Sequence, residues 1–117
     1  MNIRTIALVW LSAVLVSCAS TAVRIHPRQP EAKIRDTILH HTPVGSSRNS
    51  VLSFIDTQLH HDGPPLTNST SIYDLDVGWY WAVFPLVPEV THAYVSWSFD
   101  SQSRLVDVTV VKDTDAP

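Results

Sequence analysis

The chain has 117 residues, 8 basic against 11 acidic side chains for a formal charge of −3, and a single cysteine. Such a length holds one domain, and one cysteine excludes an intrachain disulfide and every multi-cysteine metal framework. No basic stripe interleaves with the aromatic residues, so binding to nucleic acid by phosphate neutralisation is not expected.

The first 17 residues divide as a secretory signal does. "MNIR" supplies one positive charge, and "TIALVWLSAV" is an apolar run shorter than the roughly 20 residues of a spanning helix. Leu15, Val16 and Ser17 before Cys18 resemble the lipobox of bacterial lipoproteins. The resemblance implies that the signal is cleaved before Cys18, whose sulfur receives a diacylglycerol and whose new amino group is acylated. Several acyl chains at about 0.8 kcal/mol per buried methylene anchor a protein where one alone is marginal. The alternative is an ordinary signal followed by a free cysteine, or a buried cysteine on an N-terminal helix. Ala19 in place of Asp implies, by the family's sorting rule, the outer membrane, with the domain facing the periplasm. Losing Arg4 with the leader leaves 7 basic against 11 acidic residues.

Residues 18–30 mix small, polar and proline side chains without a period and read as a tether, Pro27 and Pro30 disfavouring helix. Glu31 to His41 carries Ile34, Ile38 and Leu39 at helical spacing, with Glu31 at the start and His40 and His41 at the end, as the helix dipole favours. Pro43 and Gly45 stop it. Ser46 or Ser47 then caps a second helix, whose Val51, Phe54, Ile55 and Leu59 form one apolar stripe. Residues 60–71 read as loop; the Asn68-Ser69-Thr70 triplet in it is formally a glycosylation acceptor.

Three strands follow. Ile72 to Phe84 alternates Tyr73, Leu75, Val77, Trp79 and Trp81 against Asp74, Asp76, Gly78 and Tyr80. After a loop over residues 85–90, Thr91 to Phe99 sets Ala93, Val95, Trp97 and Phe99 on one face and Tyr94, Ser96 and Ser98 on the other. Leu105 to Lys112 alternates again. The expectation is an α+β, two-layer domain over residues 31–113, a helix pair packed on a three-stranded antiparallel sheet in the order α-α-β-β-β, with residues 114–117 as a tail.

Gly45-Ser46-Ser47-Arg48-Asn49-Ser50-Val51, continued by Phe54 and Ile55, resembles the Gly-x-Thr-x-x-x-Val signature of the SmpA/OmlA lipoproteins. The tandem repeats of beta-lactamase inhibitor proteins share that fold. "VSWSFDSQSRLVDVTVVK" is similar to their closing hairpin. The resemblance spans Ile34 to Lys112 and implies the fold just described, with support of envelope assembly as the role. The chain departs from the pattern at Ser47 for Thr, at Ser46 for Met, and in lacking the glycine that closes helix two near Asp56.

For chemistry, His40-His41 and His60-His61, with Asp62, raise a metal site; each pair offers one ligand, because adjacent helical side chains point about 100° apart. Histidines near the negative end of a helix dipole explain the same pattern and are preferred. Asp74 and Asp76 share a strand face and read as solvent-facing carboxylates. No nucleophile elbow, phosphate loop or zinc-hydrolase motif occurs, so no enzyme, catalytic residue, metal or cofactor is expected. Trp79, Trp81 and Trp97 fall on the core parity; Tyr80 and Tyr94 fall on the other and mark a docking surface together with the 85–90 loop. The expected function is a lipid-anchored, non-catalytic interaction module, its partners the bilayer through Cys18 and an envelope protein. An inhibitor using Glu89 or Asp62 to enter a hydrolase cleft is one alternative; a small metal-binding envelope protein is another.

Overall fold

The computed structural model describes residues 22–83 and 88–115; the leader, Cys18 and residues 84–87 lie outside them. The chain is α+β: α1 (Glu31–His41), α2 (Arg48–Thr57), β1 (Leu66–Thr67), β2 (Ser71–Val83), β3 (Pro88–Phe99) and β4 (Leu105–Asp115). The strands form one antiparallel sheet in the order β1-β2-β3-β4. That is four strands where three were expected. Leu66 and Thr67, expected in a loop, pair with Tyr73 and Ile72. Asn68 Oδ1 accepts the backbone N–H groups of Thr70 at 2.9 Å and Ser71 at 2.8 Å, closing that hairpin as an Asx turn. A two-residue strand has no period to detect. The region expected as a loop before β3 and the frayed tail are also strand in part, since β3 begins at Pro88 and β4 runs on to Asp115.

Both helices fall where their spacing predicts, except that α2 ends at Thr57 and Leu59, expected on its stripe, lies beyond it in a bridge to Val23. Pro30, with φ −56°, sits at the N-cap of α1 without a capping side chain and leads the chain into helical geometry. The far end of α1 is fixed by Thr42, whose backbone N–H and Oγ1 both donate to the Ile38 carbonyl at 2.8 Å. Trp97 Nε1 in turn donates to Thr42 Oγ1 at 3.1 Å. Ser47, rather than Ser46, caps α2; its Oγ accepts the Ser50 N–H at 3.1 Å. Gly45 takes φ +94° in the connection, a conformation that suits glycine. There its N–H donates to the Leu105 carbonyl, and the Leu105 N–H donates to the Ser46 carbonyl, both at 2.8 Å.

One buried cluster joins Ile34 and Ile38 of α1, Val51, Phe54 and Ile55 of α2, and Leu75, Val95, Trp97 and Val108 of the sheet. Burying each large aliphatic or aromatic side chain stabilises the fold by about 1.5–3 kcal/mol. At the edge strand β4, Arg35 Nε donates to the Val108 carbonyl at 2.8 Å and Nη2 to Asp107 Oδ1 at 2.7 Å. The Arg35 hydrogen bond holds the Asp107 carboxyl below its ordinary value of 3.8. This exposed pair therefore contributes fully above that value and fades as pH falls through the lower one.

Residues 22–30 are more than a tether. Val23 bridges to Leu59, donating to Gln58 O at 2.7 Å and accepting from His60 N at 2.8 Å. Ile25 belongs to the core, and the Pro27 ring would stand 3.2 Å from a Cβ at Gly78. The absent side chain at Gly78 lets the Pro27 ring lie this close; a Cβ there would require the ring to give by a few tenths of an ångström.

β2 contains two irregularities that decide which side chains face out. Ile72 pairs with Trp97 and Leu75 with Val95, then Asp76 pairs with Tyr94 and Gly78 with Ala93, so β2 carries one extra residue at each step. Each bulge reverses the alternation that follows it. At the first, Asp74 adopts φ 53° and its N–H donates to Ser96 Oγ at 3.1 Å. At the second, Asp76 Oδ1 accepts the Gly78 N–H at 3.0 Å. Side-chain oxygens thus replace ladder partners where the strand is out of register.

Candidate functional site

Along β3 the face bearing Thr91, Ala93, Val95, Trp97 and Phe99 is buried, and His92, Tyr94, Ser96 and Ser98 lie on the other. Directly paired residues share a face. The open face therefore also carries Trp79 and Trp81 of β2, opposite His92 and Val90, and Val111 of β4, opposite Tyr94. Trp79 is 47% exposed, Trp81 51% and Val111 53%. Toward the opposite end the face turns polar, with Ser96 opposite Thr109 and Ser71 opposite Ser98.

The expected core assignment holds for Trp97, which is fully buried, and fails for Trp79 and Trp81. The second bulge reverses the parity after Val77, sending the two tryptophans to the open face and Tyr80 to the other. Tyr80 pairs with Thr91 on the buried-face side, and its ring lies beneath the Arg28 guanidinium at 4.5 Å, with Lys112 Nζ at 5.6 Å. Tyr80 is therefore corrected from the open face to a cation-flanked position opposite it. Glu89, expected on a loop, is in β3 opposite Ala82, the same side as Tyr80. Of the three residues expected to meet a partner, Tyr94 alone lies on the open face.

A polar device sits inside this aromatic surface. The Asp76 and His92 side chains meet at 2.7 Å between Oδ2 and Nδ1, Nδ1 donating if the tautomer is the one that satisfies both groups. The His92 ring stacks on Tyr94 with centroids 5.8 Å apart. Asp76 thereby holds His92 on one oxygen and the Gly78 bulge on the other. Asp74, expected to share a face with Asp76, lies in the first bulge and is exposed. The tryptophans contact each other edge to face, centroids 6.3 Å apart. Such a surface can offer flat aromatic contact area with a fixed hydrogen-bonding group.

The histidine pairs go to separate tasks. His41 stacks on Phe54 with centroids 5.2 Å apart, and His61 Nε2 lies 3.1 Å from the Ile55 carbonyl. Among the described residues no group of three His, Cys, Asp or Glu side chains is placed to hold a metal ion. His60, His61 and Asp62 instead line a cleft of about 280 Å³ shared with Arg24, His26 and Trp79. No described helix is long and apolar enough to cross a membrane.

His92 and Val111 were not singled out from the sequence. The usable signal for this region was Gly78, because a glycine inside a strand pattern marks a bulge. No family model, curated protein or solved structure matches the chain.

Proposed function

We propose that the protein is a lipid-anchored interaction module of the bacterial envelope, held at the outer membrane through acylated Cys18 and docking an envelope protein on the open face of its sheet. The carrying observation is that this face presents Val111 to solvent beside the ordered Asp76–His92–Tyr94 array, in a surface continuous with Trp79 and Trp81. Aromatic side chains with few rotamers lose little entropy on docking and dominate binding energy where they are desolvated. In this reading the domain is two-layered: the helix pair covers the buried face and supplies rigidity, which the core shared by helices and sheet supports. The SmpA/OmlA resemblance directs the role toward outer-membrane assembly or maintenance, as a fold-level analogy. The module works by binding and carries out no reaction.

The test is a crosslinked pull-down of the lipidated protein from solubilised envelopes, comparing the native chain with Val111→Asp and Tyr94→Ala. Both positions are on the open face, so thermal unfolding should move little, while recovery of the same partner should drop at least about tenfold, as loss of a 1.4 kcal/mol contact gives. Equal recovery with all three chains would contradict the open face as the docking surface.

A further inference from the structure

From the geometry of the described domain and the length of chain before it, we infer that the Trp79–Trp81 end of the open face lies in the headgroup region of the bilayer, orienting the domain on its membrane. This rests on the lipid anchor at Cys18 proposed above. Ala22 is the first described residue and follows Cys18 by four positions, a reach of at most about 14 Å. The chain does not swing freely after that point, because Val23 is bridged to Leu59 and Ile25 is buried. Arg24 and Trp79 line the same cleft. An acylated Cys18 therefore brings this end of the sheet, and not the polar Ser71–Ser98 end, within one short segment of the lipid.

The side chains at that end suit the interface. Trp81 is 51% exposed and Val83 70%, and tryptophan partitions to the boundary between headgroups and acyl chains. Arg28 is exposed on the other side of β2, its guanidinium over the Tyr80 ring and its Nη2 donating to the Trp81 backbone carbonyl at 2.9 Å, and Arg24 is exposed at the cleft that Trp79 also lines. Guanidinium groups at the same end of the strand can meet lipid phosphates while the indoles of the open face enter the apolar boundary. The anchor makes this weak second contact intramolecular, so a surface too small to bind membranes alone is engaged most of the time. Tyr94 and Val111 lie two side-chain rows beyond Trp81, about 7 Å per row, and remain available to a protein partner.

The experiment uses the full lipidated chain in phosphatidylethanolamine/phosphatidylglycerol vesicles containing lipids brominated near the headgroup end of the acyl chain. Tryptophan emission is compared between the native chain and the Trp79→Phe/Trp81→Phe variant, and the mass of the mature chain is measured in parallel. Emission of the native chain should fall in brominated relative to unbrominated vesicles. The variant, whose buried Trp97 reports the fold, should show no such fall. A lipidated chain whose Trp79 and Trp81 emission is unchanged by bromine would overturn the inference and leave the anchor intact. Emission shielded in native envelopes but not in pure lipid would overturn it in favour of a protein cover. A mass without lipid would refute the anchor separately; quenching of the two tryptophans would then still support the membrane contact, and its absence would overturn it.

Discussion

Thr42 holds two buried interactions with one hydroxyl. It donates to the Ile38 carbonyl, ending α1, and accepts from Trp97 Nε1, the largest fully buried side chain of the sheet. Thr42→Val keeps the shape but orphans the indole N–H, which should cost about 1–3 kcal/mol. Trp97→Phe removes the donor, at the price of some packing. In urea unfolding, the double variant should therefore lose less than the sum of the two single variants. Strict additivity would mean the Thr42–Trp97 hydrogen bond contributes nothing to stability. The pairing could not be foreseen from spacing: Thr42 followed a helix and preceded Pro43, which marked it as the start of a loop. Cys18, by contrast, stood out through its four-residue setting, but it lies outside the described residues.

At the scale of elements, the two helices and the three long strands were legible because each carries a clear period or a clear stop. Val51, Phe54 and Ile55 are buried as their stripe predicts, and β3 alternates without a break from Thr91 to Phe99. β2 defeats the same reading twice. Period-2 reasoning assumes that no residue is extra, and here two are, so the pattern is right only between the bulges, at Leu75 and Val77. The consequence falls on the candidate site, where Trp79 and Trp81 exchange faces with Tyr80. The first bulge has a direct test, because Asp74 holds φ 53°, where a β-branched side chain is strained. Asp74→Gly should leave the urea midpoint unchanged or raise it slightly, whereas Asp74→Val should cost about 1–2 kcal/mol. Equal stability of Val and Gly at this position would show that the bulge is not retained in solution.

At the scale of the whole molecule, two regions of the open face suit different neighbours. The Trp79–Trp81 end adjoins the segment that leads back to Cys18, and the Tyr94–Val111 region lies farther from it, so one surface can be steadied by lipid and still reach a protein. Residues 22–30 of the segment expected as a tether are instead docked through Ile25 and Pro27, so under the proposed acylation of Cys18 the direction of the domain relative to its anchor is a property of the fold. Only that docking turns a short linker into an orienting device. The most direct measurement of the central claim is site-specific photo-crosslinking in intact envelopes, with the crosslinker placed either at position 94 or at position 36, an exposed site on α1. The account predicts one discrete protein adduct from position 94, absent from position 36 and lost when Val111→Asp is added. The same adduct in equal yield from both positions, or an adduct from position 36 alone, would contradict it.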